Sequence, residues 1–186
     1  MDYEKLIFDW NAQGAPELPP GRTYMLDDES LRDGLQSPSV RDPSIQDKIE
    51  ILHLMEELGI DSVDLGLPGA GPRAQADVER LAREIISARL KIRPNCAART
   101  VEADIRPIAE ISEKVGIAIE AATFLGSSPI RRYAEDWSVD FLLRTTEKAV
   151  TYARSLGLPV MYVTEDTTRC DPDTIKKLYT TAINCG

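Results

Sequence analysis

The sequence predicts an α/β chain of parallel strand–helix units, and three observations carry that expectation. Short apolar runs alternate with helical patterns at intervals of roughly 25 to 40 residues, which implies βαβ units and a parallel sheet, doubly wound or barrel-shaped. No GxGxxG follows the first apolar run, which weakens the doubly wound, dinucleotide-binding alternative. A complete (β/α)8 barrel takes roughly 250 residues, and the 186 residues here leave room for about five units.

Taken in order, residues 1–23 carry Pro16, Pro19, Pro20 and Gly21 with no sustained apolar period, and read as an N-terminal arm. Residues 24–186 then read as one partial barrel domain. Tyr24, Met25 and Leu26 form the first short apolar run, followed by a charged turn up to Gln36. Asp42, Pro43 and Ser44 start a helix whose stripe is Ile45, Ile49, Leu52 and Leu58, with Gly59 as its stop. Residues 61–67 predict the second strand, and Val78, Leu81, Ala82, Ile85 and Ile86 fall at helical spacing behind it. The third strand is expected over residues 91–97, before a helix restarted by Pro107 with Ile108, Ile111 and Val115 on one face. The fourth strand is expected over 116–124, with its helix starting near Ser138 and running through Leu142, Ala149 and Leu156. The fifth is expected over 159–163, and Asp171 and Pro172 then cap a helix with Ile175, Leu178, Tyr179, Ala182 and Ile183 on its face.

Composition narrows the function classes. The net charge of -9 argues against a nucleic-acid partner, since such surfaces depend on clustered cations at phosphates. No apolar run approaches the roughly 20 residues of a membrane span, and the acidic opening is unlike a signal peptide, so no membrane role and a cytoplasmic location are expected. Cys96, Cys170 and Cys185 are odd in number and lack CxxC spacing, which fits reduced, packed thiols. His53, the one histidine, lies within a helical pattern and reads as structural or solvated rather than a ligand.

In α/β barrels the chemistry sits in loops after the C-terminal ends of strands. The charged clusters occupy those places: residues 28–36 after strand one, Arg99 after strand three, and residues 165–169 after strand five. Within the first, Arg32 sets a fixed cation beside the hard oxygens of Asp33, and Gly34 is expected to let the backbone turn tightly before Gln36. Such a pair suits a divalent metal on Asp33 and a carbonyl substrate whose developing negative charge Arg32 stabilises.

The run Asp28-Glu29-Ser30-Leu31-Arg32-Asp33-Gly34-Leu35-Gln36-Ser37-Pro38 resembles the D-x-[ST]-LRDG-x-Q-SP signature of the 2-isopropylmalate, homocitrate and citramalate synthases. Glu165-Asp166-Thr167-Thr168-Arg169-Cys170-Asp171 resembles their ED-x-x-RSD segment, with Cys170 in place of serine. Asp64-Leu65-Gly66-Leu67-Pro68 is similar to E-x-G-F-P, and Ser127-Ser128-Pro129-Ile130 to TSPIH, with Arg131 in place of the histidine. The resemblance implies a metal-dependent (β/α)8 TIM barrel, cut to about its first five units, that condenses acetyl-CoA with a 2-oxo acid in a Claisen-type step before the thioester is hydrolysed.

Carried over by position, Asp33 is the expected ligand of a divalent cation (Zn, Mn or Mg), and Arg32 and Glu165 are the expected catalytic residues. Gln36, Asp64, Arg99, Glu120, Ser127 and Arg169 are expected to contact substrate, Glu120 standing where many synthases have a strand-four histidine. The resemblance also implies leucine-type amino-acid biosynthesis. The family completes its metal site with an HxH pair from strand seven, which this sequence lacks, so the chain alone is expected to be inactive. Its open sheet edges are expected to be covered in a homo-oligomer. The alternatives are a hydroxymethylglutaryl-CoA lyase-like enzyme, disfavoured by the segment at Glu165, and a non-catalytic half-barrel assembly module.

Overall fold

A computed structural model of the chain describes residues 8, 9, 21 and 23–186. The arm expected over residues 1–23 lies mostly outside the described residues. Five parallel strands form a curled half-barrel in which each pairs with its successor in sequence: β1 (Asp27–Asp28), β2 (Ser62–Asp64), β3 (Arg93–Arg99), β4 (Glu120–Gly126) and β5 (Val160–Glu165). A doubly wound sheet reverses its strand order at a switch point. This order runs straight through, as in the wall of a (β/α)8 barrel.

The connecting helices are α1 (Ile45–Leu58), α2 (Pro72–Ser87), α3 (Glu102–Val115), α4 (Pro129–Glu135), α5 (Val139–Ser155) and α6 (Pro172–Asn184). Their ends follow the sequence closely. Ser44 caps α1 in a reciprocal box with Asp47, and Gly59 closes it in the left-handed conformation. Ser138 caps α5 through the Phe141 N–H, and Asp171 caps α6 through that of Thr174.

The main core lies between the sheet and α1 to α3, where Leu52, Val63, Leu81, Ile105, Ile108 and Ile119 are fully enclosed. Burying a side chain of this size stabilises the fold by about 2 kcal/mol. A smaller cluster of Leu125, Leu142 and Leu178 joins β4 to α5 and α6.

Several expectations need correction. The apolar run Tyr24, Met25 and Leu26 is exposed, and the ladder begins at Asp27. Leu26 joins only by its backbone, its carbonyl accepting the N–H groups of Asp61 and Ser62. Strands β3, β4 and β5 each sit one to four residues later than their apolar runs suggest, because the runs include the approach to the sheet. Leu58 (77% exposed) and Ile183 (74%) fall off the buried stripes, and Ile86 is exposed as well. Met55 and Thr174 take buried places on α1 and α6 instead.

Pro107 does not restart a helix: it lies inside α3, which begins at Glu102. Its ring is accommodated within the second turn, early enough that one missing N–H leaves the rest of the ladder intact. Helix α4, between β4 and α5, was not anticipated from the apolar pattern, and none of its residues is buried. Gly34 makes no glycine-only turn, since its φ is ordinary and a Cβ there would meet Ser30 at 3.7 Å. Among the described residues no helix is long and apolar enough to cross a membrane, and the three cysteines are free.

Candidate active site at the strand ends

The segment after β1 folds onto itself: the Glu29 carbonyl accepts the N–H groups of both Arg32 and Gly34, and Gly34–Gln36 forms a short 3-10 turn. This brings Arg32 over the end of β2. Its Nε donates to Asp64 Oδ2 at 2.9 Å, its Nη1 reaches Asp33 Oδ1 at 3.2 Å, and its Nη2 pairs with Glu29. Burial pulls against the Arg32 charge, but Asp64, then Glu29 and Asp33, raise its pKa on balance.

Asp64 is the buried member, 1% exposed. Its Oδ1 accepts the N–H of Gly66 at 2.9 Å and that of Ala97 at 3.3 Å. Burial pushes its carboxyl up to about 6, against the opposing pull of the Gly66 N–H and of Arg32. Gly66 makes this bond with φ +144, where a side chain would also press within 3.2 Å of Val78.

A cavity of about 170 Å³ opens at this point, lined by Glu29, Arg32, Asp33, Gln36, Asp64 and Glu165 together with apolar residues of the wall. The structure therefore gathers Arg32, Asp33, Gln36, Asp64 and Glu165 at one end of the half-barrel. Sequence reasoning missed Glu29, although it lies in the same run, and missed the apolar wall of Ala97, Ala122, Phe124 and Val163. The period-two alternation of Ala122 with Phe124, and of Val163 with Glu165, is the signal that places each pair on one sheet face.

A second cavity of about 320 Å³ shares Arg32 and Gln36 and continues toward α1 and α2. Its Lys48 ammonium is held by Asp42 at 2.9 Å and Asp77 at 2.8 Å, and Arg73 also pairs with Asp42. The charges in this second space are thus paired off within the protein.

Other expected contacts lie away from the first cavity. Glu120 is the first residue of β4 and lines a 440 Å³ cavity with Ser62, Arg93 and Pro159, at the opposite end of the strands. Glu120 is therefore not a wall residue of the first cavity, whereas Ala122, two residues on, lines it. Arg99 is turned onto the buried Asp104, with Nε to Oδ2 at 2.6 Å and Nη2 to Oδ1 at 2.8 Å. Ser127 is fully buried, and its N–H and hydroxyl both donate to the Glu165 carbonyl at 3.2 Å. Arg169 pairs with Asp166. His53 Nε2 lies 3.0 Å from Glu84 Oε1 on the helix layer, away from this cavity.

A family model described as HMGL-like matches residues 24–186, the whole of this half-barrel. The chain belongs to the HMGL-like family. Among curated relatives, this HMGL-like chain is 31% identical over 160 residues to homocitrate synthase AksA of Methanopyrus kandleri, covering 86% of the chain and 38% of that protein. It is 31% identical over 166 residues to the 2-isopropylmalate synthase of Brevibacillus brevis, covering 89% of the chain and 31% of the relative. To that of Campylobacter hominis it is 32% identical over 160 residues, with 86% and 31% covered. The HMGL-like chain thus spans about a third of the length of these relatives.

Proposed function

We propose that these residues form part of the active site of an acyltransferase that condenses acetyl-CoA with a 2-oxo acid. The observation that carries the reading is the convergence of Arg32, Asp33, Asp64 and Glu165 around one cavity at the strand ends. That arrangement joins a fixed planar cation to several carboxylates, which suits a reaction that both moves a proton and builds negative charge on oxygen. The relatives named as synthases support the same class.

On this reading, Arg32 donates to the oxygen of the 2-oxo acid on which charge develops. Asp64 fixes the guanidinium through its Nε, and although Nη1 and Nη2 lie against Asp33 and Glu29, each carries a second N–H for substrate. Glu165 moves the proton lost from the acetyl methyl, and Gln36 holds the edge of the cavity. The family resemblance also implies a divalent cation at Asp33. Among the described residues no group of three or more His, Cys, Asp or Glu side chains could hold a metal ion, so these residues alone do not fit one, and no step here runs through it. The reading extends to residues 24–186 as a partial catalytic domain, to leucine-type biosynthesis in the cytoplasm, and to a homo-oligomer.

Arg32→Lys tests it, in the full-length polypeptide that carries these residues, with CoA release in the presence of 2-oxo acids as the readout. A point charge cannot reproduce the planar fork, and turnover is expected to fall on the order of 100-fold. Unchanged turnover would reduce Arg32 to a loop charge and remove the basis of the proposal.

A further inference from the structure

The segment after β5 carries a connection that the proposed chemistry does not by itself call for. Asp166 directly follows Glu165 and, among the described residues, is one of three non-glycine residues with positive φ, at φ 57 and ψ 35. Aspartate tolerates that conformation better than most side chains, yet it is still uncommon and needs support from its surroundings. The support comes from the loop after β4. The Ser128 hydroxyl donates to Asp166 Oδ2 at 2.5 Å, while Arg169 pairs with the other oxygen.

The same two loops are joined again one residue back. Both the N–H and the hydroxyl of Ser127 donate to the Glu165 carbonyl, and the Cys170 thiol donates to the Ser127 carbonyl at 3.1 Å. Ser127, Ser128 and Cys170 are all buried. The Glu165 backbone is thereby held on one side by Ser127 and turned sharply on the other by Asp166, while its side chain remains on the cavity wall.

We propose that Asp166 is a positioning residue: through Ser128 it fixes the left-handed turn that aims the Glu165 carboxylate into the cavity. This rests on the reading of Glu165 given above. A carboxylate that moves a proton must sit within hydrogen-bond reach of it, and a displacement of about 1 Å can cost on the order of 100-fold in rate. Asp166 touches neither the cavity nor a reacting atom, so it acts only through its neighbour.

Asp166→Gly separates this role from a structural one, because glycine adopts positive φ without strain while losing the carboxylate. In the full-length polypeptide, kcat for CoA release is expected to fall roughly tenfold or more, with KM for the 2-oxo acid and the melting temperature little changed. Ser128→Ala removes the same contact from the other loop, together with the cap it gives the Arg131 N–H of α4, and is expected to give the same fall in kcat. On a Glu165→Gln background, where kcat is already low, neither change should lower it further. A normal kcat in both single variants, or a full additional loss on the Glu165→Gln background, would overturn the positioning role while leaving the reading of Glu165 in place. A Glu165→Gln variant with normal kcat would overturn the reading of Glu165 itself, and the positioning role with it.

Discussion

Each end of the strands holds a carboxylate bonded to backbone N–H groups, and the two differ in kind. At the N-terminal end, half-buried Glu56 of α1 accepts the N–H groups of Lys91 and Ile92 at 2.9 to 3.0 Å, closing the turn into β3 beside solvent. At the C-terminal end, Asp64 accepts two N–H groups and a guanidinium while almost wholly buried, and burial pushes its carboxyl up to about 6. The bonding pattern is shared, but Glu56 ties two elements together beside solvent while Asp64 sits in the protein interior. What separates the ends is burial, and burial is what tunes a carboxyl for chemistry.

The largest effect expected from this difference is on stability when Asp64 is removed. Asp64→Ala takes the buried acceptor from the Gly66 N–H and removes one of the three carboxylates that hold Arg32, and should cost about 3 kcal/mol in denaturant unfolding. A loss no larger than that of an exposed residue would erase the contrast between the ends.

The pH dependence is next in size. Because the folded state raises the Asp64 pKa from 3.8 to about 6, folding takes up a proton at this site. Its favourable contribution is complete below 3.8 and is lost as pH rises through about 6. Relative to Asp64→Asn, the parent chain should therefore lose about 3 kcal/mol across that window, measured as unfolding free energy at each pH. A gain with rising pH would mean that ion pairing with Arg32 outweighs burial.

A smaller loss is expected at Gly69, where the loop after β2 meets the buried Asp104. A Cβ there would lie 2.6 Å from the Asp104 carboxyl carbon and 2.9 Å from its Cα. Gly69→Ala should cost about 2 kcal/mol by overpacking, read from thermal unfolding. Glu56→Ala, at the other end, should cost only about 1 kcal/mol, the net worth of its backbone bonds near water. Hydrogen exchange at Lys91 and Ile92 is the check, and it should quicken locally without global unfolding.

The βα alternation and most helix ends were legible in the sequence because they depend on local chemistry. Ser44, Ser138 and Asp171 each cap the helix expected of them. Strand edges were less legible: apolar character marks the approach to a sheet as readily as the ladder, which is why residues 24–26 misled. At the candidate site, Arg32, Asp33 and Gln36 lie close together in the chain and line one cavity. Glu120 lies at the other end of the strands; which end a residue occupies depends on where the ladder begins, which a single sequence does not display. The ties of Ser127 and Arg99 to Glu165 and Asp104 are long-range or loop-specific, and no periodicity announces them.

The straight strand order has a consequence for how the chain acquires its shape. Among the described residues each strand pairs with its immediate neighbours in sequence, so each of these ladders joins consecutive units. Each new unit can dock on the edge left by the last, and loop-closure costs stay modest at every step. On a ribosome, where the N-terminal part emerges first, the wall can grow one strand at a time, with the two-residue ladder of β1 and β2 as the narrow foundation from which it starts.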